Sequence, residues 1–316
     1  MAILLDPPRW PAHGTDFGHL VSDASLDELH AFAQAAGIPC RAFDHDHYDV
    51  PVARYPDLID AGAIQVSSGE LLRRLVDAGL RVRPRDRTPK RPAALASAQE
   101  SWRGLLPQAP ELGEELLQRW SEPHRRYHDV RHLAQCLAAL QQLAIEEPIG
   151  RPVLLAAWFH DAVYNGEPHD DEEASAALAD ERLRPLVGAA EAAEAARLVR
   201  ATIAHDPEPD DRDAALLVDA DLSILGQLRG RYHVYLRDVR EEYSRYDDQQ
   251  FQRGRLTVVQ GLLSRRPLFA TATGRRLWGA AAELNLTEER DRLLGREPPT
   301  APGSDPRNRD ATVRLS

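Results

Sequence analysis

The stretch "AAWFHDAVY" (156–164) sets His160 beside Asp161 at the end of an apolar run. A lone pair of this kind is accounted for by a satisfied core histidine and a capping aspartate. Further polar residues of the same types occur elsewhere in apolar, helix-patterned segments. "YHDVRH" (127–132) carries His128 and His132 four residues apart, "TIAH" (202–205) ends on His205, and "LVDADLSILG" (217–226) contains Asp219 and Asp221. Residues i and i+4 share a helix face, so a helix from 125 would point both His128 and His132 into one cavity. Two residues on a helix are about 200° apart, so Asp219 and Asp221 cannot both face the same point. Carboxylates in apolar surroundings are costly unless paired or bound to metal. Imidazoles and carboxylates without thiolate suit a divalent ion of intermediate hardness, Mn, Fe, Co, Zn or Ni. Mg²⁺, which prefers oxygen ligands, fits only as a second ion.

These residues must be positioned by helices. From 99 to 295 the pattern is helical throughout and rich in Ala and Leu. Candidate helices lie at 111–120, 125–144, 151–164, 171–183, 189–205, 211–226, 229–246, 248–264 and 272–294. This is an all-α domain. Residues 1–83 differ: "AILLD" (2–6), "CRAF" (40–43) and "AIQV" (63–66) read as strands, and a final apolar stretch is "LRVR" (80–83). "SLDELHAFAQAAG" (25–37) and "SSGELLRRLVDAG" (67–79) read as helices with a Ser N-cap and a Gly stop. Alternating strands and helices predict a small α/β domain with a largely parallel sheet. Between the two, "PRDRTPKRPAALASA" (84–98) reads as a linker. The polar, Pro-rich tail at 296–316 reads as disordered.

With 316 residues the chain has room for two domains. A net charge of −11 argues against a nucleic-acid duplex or an anionic membrane as partner. The two cysteines, Cys40 and Cys136, form neither a disulfide framework nor a CxxC site and read as buried small hydrophobes. With no signal-peptide pattern and no membrane-length apolar run, a cytoplasmic protein is expected.

The order His132, His160-Asp161, Asp221 resembles the HD superfamily of metal-dependent phosphohydrolases. The similarity is closest to a bacterial branch of predicted HD phosphohydrolases, through "RRYH" (125–128), "HDAVY" (160–164), "DEEASA" (171–176), "TIAH" (202–205), "DADLSILG" (219–226) and "YLRDVREEY" (235–243). Asp171 departs from that pattern, which carries Asn there. The resemblance covers 99–295 and implies an HD-type helical domain in which His132, His160, Asp161 and Asp221 are metal ligands. It places Glu172 and His205 as supporting or second-metal groups. The match to "ADLS" selects Asp221 over Asp219, which is left to cap or to hydrogen-bond its neighbours. The N-terminal part resembles a small bacterial domain of unknown function through "HLVSD", "ELHAFA", "HYDV", "GAIQV" and "GLR". There His19, Asp23, His30, His47 and Asp49 can converge on a polar site or lie on an interaction surface.

The leading expectation is hydrolysis of a small phosphorylated substrate, nucleotide-like, by metal-activated water. His128 is the expected general acid, and Arg126 and Arg240 are candidate phosphate clamps. The alternatives are an HD-type di-iron oxygenase, for which only His169 and His205 offer extra imidazoles, and a non-catalytic ligand-sensing module. Oligomeric state is not legible.

Overall fold

Short apolar stretches and two Ser-capped helices build the N-terminal part of the computed structural model, which describes residues 1–167 and 169–296. Its elements are β1 (Ile3–Leu5), β2 (Trp10–Ala12), β3 (Thr15–Ser22), α1 (Leu26–Ala35), β4 (Phe43–Asp44), β5 (His47–Pro51), α2 (Tyr55–Asp60), β6 (Ile64–Gln65) and α3 (Ser68–Asp77). Ser25 and Ser67 cap α1 and α3, each accepting a backbone N–H three residues on. The strands form one sheet in the order β4-β5-β3-β1-β6, with β2 paired to β3. Only β1–β6 is parallel; β1–β3, β2–β3, β3–β5 and β4–β5 are antiparallel.

The expectation of a largely parallel sheet is therefore corrected. Of the three strands that the sequence reading passed over, β2, β3 and β5, the last two mix polar and apolar residues, as suits an antiparallel sheet. They contain "GHLVS" and "HYDVP", where the polar residues drew attention away from the period of two. "CRAF" begins as a 3₁₀ turn (Cys40–Ala42), and strand starts only at Phe43. Leu80 and Val82 are buried without forming a strand.

The segment expected to be a linker is also corrected. It holds a 3₁₀ turn (Pro84–Asp86) and the start of α4 (Arg91–Leu105). Pro92 sits in the first turn, where a missing N–H costs nothing. Ala94, Ala98 and Trp102 then form one buried stripe at four-residue spacing. The helical part continues with α5 (Pro110–Arg119), α6 (Val130–Leu143), α7 (Arg151–Phe159), α8 (Asp170–Val187), α9 (Ala189–Ala204), α10 (Arg212–Asp221), α11 (Arg229–Glu242), α12 (Asp248–Ser264), the single turn α13 (Ala272–Gly274) and α14 (Ala280–Leu293). A π-helical segment (Arg275–Gly279) joins the last two. A small sheet region followed by a mostly helical one is the observed layout. Among the described residues no helix is long and apolar enough to cross a membrane. All but the first residue of the polar tail lies outside the described residues.

Helix α7 is buried on nearly every side through Val153, Leu155, Ala156, Ala157, Trp158 and Phe159. It sits centrally, against α4, α6, α8, α9 and α10. Helix α11 joins the two parts: Val234 packs in the N-terminal core, and Arg237 Nη1 donates to Phe43 O at 2.9 Å. At Gly230 a Cβ would lie 2.1 Å from the carbonyl oxygen of His45. That neighbour is backbone and cannot swing aside. Gly230→Ala should therefore cost about 1–3 kcal/mol, the usual range for overpacking. A urea midpoint unchanged from the parent would show that this contact does not hold the two parts together.

Candidate metal centre and its pocket

Four polar residues meet where three helices end. Asp129 caps α6, accepting the Arg131 N–H at 2.8 Å, and His132 follows in the first turn, 2% exposed. His160 terminates α7, with Asp161 next in the turn, and Asp221 is the last residue of α10. His132 Nε2 lies 3.1 Å from His160 Nε2, 3.0 Å from Asp221 Oδ1 and 3.6 Å from Asp161 Oδ2. His160 Nε2 lies 3.4 Å from Asp161 Oδ2 and 3.7 Å from Asp221 Oδ1. His160 donates its Nδ1–H to Ala157 O at 2.9 Å, so in the neutral ring Nε2 presents a lone pair to this centre. Two imidazole nitrogens this close, with two carboxylates around them, are a donor set suited to a cation.

The buried cluster of His132, Cys136, His160 and Asp221 is able to hold a metal ion. Cys136 did not enter the set expected from sequence, although it sits at i+4 from His132. Its Sγ lies 3.8 Å from Nδ1 and 3.7 Å from Nε2 of His132. Near-equal distances mean that the thiol does not approach along the axis of either nitrogen. Burial pushes its pKa well up, with Asp221 and Asp161 adding to the rise, so the neutral thiol is favoured. Asp161 Oδ2, at 3.6 Å from His132 Nε2 and 3.4 Å from His160 Nε2, is a second candidate for the fourth donor beside the thiol. Cys40, also expected to be buried, is exposed.

His205 caps α9 in the left-handed conformation and contacts the opposite face of Asp221, Nε2 to Oδ2 at 2.8 Å. It thereby fixes which oxygen of Asp221 turns toward His132. The carbonyls of Ala204 and His205 accept from Arg265. Burial opposes ionisation of Asp221, yet the hydrogen bonds from His132 and His205 hold its carboxyl well below the usual range.

His128 does not share a helix face with His132, contrary to expectation, because α6 starts only at Val130. It lies in the preceding turn, held by Glu242. Glu242 Oε2 accepts the backbone N–H groups of Arg126, Tyr127 and His128 at 2.8, 3.0 and 3.1 Å. Its Oε1 accepts from His128 Nδ1 at 2.5 Å and from Tyr164 OH at 2.8 Å. Burial disfavours the imidazolium, but Glu242, with Asp161 and Asp221, outweighs it and raises the His128 pKa to about 9. Glu242, buried yet facing His128 and the turn's N–H groups, is lowered to about 2. The same turn rests on Arg125, wholly buried, which donates to the carbonyls of His128 (3.0 Å), Asp161 (2.7 Å) and Ala162 (3.2 Å).

The centre opens into a cavity of about 750 Å³ lined by His128, Asp161, Glu172, His205 and Asp221, with an aromatic wall of Tyr127, Tyr164, Tyr235, Tyr243, Tyr246 and Phe251. Glu172 reaches this wall while accepting the His169 N–H at the start of α8; burial raises its pKa. Asp171, the position that departs from the family pattern, accepts from Asn165 and Glu167 and clamps the loop before α8. His169 is exposed and does not line the cavity.

Both arginines expected to clamp phosphate lie elsewhere. Arg240 donates to Asp248 and to the carbonyls of Tyr243 and Tyr246, and covers the Phe251 ring. Arg126 donates to Pro123 O and lines a separate cleft, about 610 Å³, with Arg87, Lys90, Arg91, Arg131 and Arg237. A guanidinium on a helix surface finds local acceptors, and sequence spacing alone does not reveal them. Arg125 and Glu242, which the sequence reading missed, sit inside "RRYH" and "REEY"; the signal was there, but a neighbouring residue of each motif was chosen.

Asp219 is completely buried and faces away from the centre. It accepts from Ala270 N–H (2.7 Å), Thr271 N–H (2.8 Å) and Thr271 Oγ1 (2.6 Å). Asp219→Ala leaves the buried Thr271 N–H and hydroxyl without their acceptor, so we expect a stability loss of about 3 kcal/mol with metal binding retained. Asp221→Ala should lose metal with a smaller effect on the unfolding midpoint. The opposite pattern in metal content and urea unfolding would reverse the two roles.

Comparison with known proteins supplies a family for the N-terminal part alone. Residues 3–78 match the sequence model of a family described as "Protein of unknown function (DUF4031)", in accord with the resemblance drawn from "HLVSD" and "HYDV". No curated protein and no solved structure matches the chain.

Proposed function

We propose that the helical part is an HD-type metal-dependent phosphohydrolase acting on a small phosphate ester with a flat, apolar moiety, such as a nucleoside monophosphate. The observation that carries this reading is the meeting of His132, His160, Asp161 and Asp221 at the end of an aromatic-walled cavity. A divalent ion held by these four would supply an acidified water and charge compensation for the phosphoryl oxygens. Mn, Fe, Co, Zn or Ni suits two imidazoles and two carboxylates, with Mg²⁺ as a second ion at most.

The chain's own groups complete the site. His128 Nδ1 is engaged by Glu242, which favours the imidazolium form. Its Nε2–H is then the proton it can give to a leaving oxygen. Stacking on Tyr164, with ring centroids 4.4 Å apart, keeps the imidazolium in place. The tyrosines and Phe251 offer faces for a nucleobase or similar ring. Both arginines lining the cavity are already engaged, Arg255 by Glu289 and Tyr235, and Arg265 by the end of α9. With no free guanidinium in the described lining, a monophosphate is favoured over a triphosphate. A di-iron oxygenase is less favoured, because His169 stays outside the cavity.

The test is hydrolysis of a phosphate-ester panel by chelated and metal-reconstituted protein. Activity should vanish on chelation, return with a divalent transition ion, and favour nucleoside monophosphates over triphosphates. His132→Ala should bind no metal at the centre and be inactive. His128→Ala should keep its metal and lose about 10²–10⁴-fold in kcat, the usual worth of a general acid. That loss should shrink for nitrophenyl phosphates, whose leaving groups need no proton. Equal losses across leaving groups would exclude His128 as the acid, and no hydrolysis of any ester would exclude the function.

A further inference from the structure

The N-terminal sheet assembles a second set of metal-ligating side chains, far from the helical cavity in sequence and built on different elements. His19 on β3 stands directly opposite Asp49 on β5, and His47 lies two residues before Asp49 on the same strand face. The two imidazoles meet edge to face with centroids 4.8 Å apart. Asp49 Oδ1 lies 3.5 Å from His47 Nε2 and 4.0 Å from His19 Nε2. Of the five residues that the sequence allowed to converge, these three do. Asp23 instead pairs with Arg74, and His30 packs against His233 on α11.

The supporting groups point to a cation as well. His19 Nδ1 contacts Asp6 Oδ2 at 3.2 Å, and His47 Nδ1 contacts Asp46 Oδ1 at 2.6 Å. Asp6 and Asp46 are 2% and 0% exposed. Each is fixed in turn: Asp6 accepts the His19 N–H, while Asp46 accepts from Val82 N–H and Arg81. A carboxylate on Nδ1 holds that nitrogen as N–H, so in the neutral ring Nε2 carries the lone pair and is the better ligand. Two imidazoles are prepared in this way, and both Nε2 atoms lie near the same half-exposed carboxylate. A tetrahedral ion with bonds of about 2.0–2.1 Å spaces its ligand atoms by about 3.3 Å. The His47–Asp49 separation is close to that already, and all three ligand atoms lie within 4.8 Å of one another.

We propose that His19, His47 and Asp49 bind a divalent first-row transition ion such as Zn²⁺. Three protein ligands leave coordination positions open, as in sites that act on a bound water or small ligand rather than purely structural ones. The open side is bordered by Trp10, which is 59% exposed with its ring centroid 5.8 Å from that of His19. This site stands independently of the helical centre and of the hydrolase reading.

The test uses the full chain stripped of metal and titrated with Zn²⁺ or Co²⁺ alone, followed by metal-to-protein ratio and, for Co²⁺, visible absorption. Asp49→Ala and His19→Ala should each lose one equivalent, or weaken its binding on the order of 100-fold or more. The Asp49→Ala/Asp221→Ala double variant should lose one equivalent more than Asp221→Ala. Asp49 is half-exposed at a strand surface, so Asp49→Asn keeps the shape and serves if His19→Ala fails to fold. Wild-type stoichiometry and affinity in both Asp49 variants would overturn the proposal. So would the absence of any bound ion in Asp221→Ala that Asp49→Ala further removes.

Discussion

A buried guanidinium holds the candidate centre in shape. Arg125 has no solvent exposure and lies against Trp120 and Tyr164. Its Nε donates to Glu122 Oε2 at 3.1 Å, and its other donors meet three backbone carbonyls, one in the turn before α6 and two in the turn after α7. Those turns carry His128 and the His160-Asp161 pair. Glu122 offsets the charge, and the remaining buried N–H groups are satisfied only with both turns closed around them, which brings the segments bearing His132 and His160 together. Glu242 performs the complementary task from α11, gathering three consecutive N–H groups that no helix satisfies. One cation on carbonyls and one anion on amides define a loop that carries few apolar contacts of its own.

Helix α11 ties this arrangement to the N-terminal part. His233, Val234 and Arg237 face the sheet region, whereas Tyr235, Val239 and Glu242 face the cavity. The division follows from helical geometry, since positions three and four apart share a side. A disturbance at the sheet interface therefore has a rigid path of about two turns to the turn holding His128. The two candidate metal centres share a design: an imidazole is aimed by a hydrogen bond on its far nitrogen, from Ala157 O for His160 and from buried carboxylates for His19 and His47.

The helical half was legible because its periodicity is long and its stops are marked; most candidate helices agree with the observed spans to within a few residues. Polar residues placed in apolar runs, a costly pattern with few explanations, pointed to the segments that converge, and the family resemblance selected His132, His160, Asp161 and Asp221 among them. What the sequence hid has physical causes. The start of α6 is set by the Asp129 cap and not by the earlier polar residues, so His128 moved off the helix. Arg126 and Arg240 have local acceptors that spacing does not reveal. In the N-terminal part, short strands of mixed polarity look like loops until paired, and a Pro-rich opening disguised the first turn of α4.

We propose two imidazoles and carboxylate oxygens as the ligands of an ion at the helical centre, with Cys136 a neighbour and not a ligand. X-ray absorption at the zinc edge tests it most directly, on the Asp49→Asn chain loaded with one equivalent of Zn²⁺ so that the sheet site does not contribute. Two imidazole nitrogens and an oxygen shell at about 2.0–2.2 Å are expected, with no sulfur at about 2.3 Å. A sulfur shell would put Cys136 in place of Asp161, and a spectrum without imidazole scattering would contradict the centre altogether.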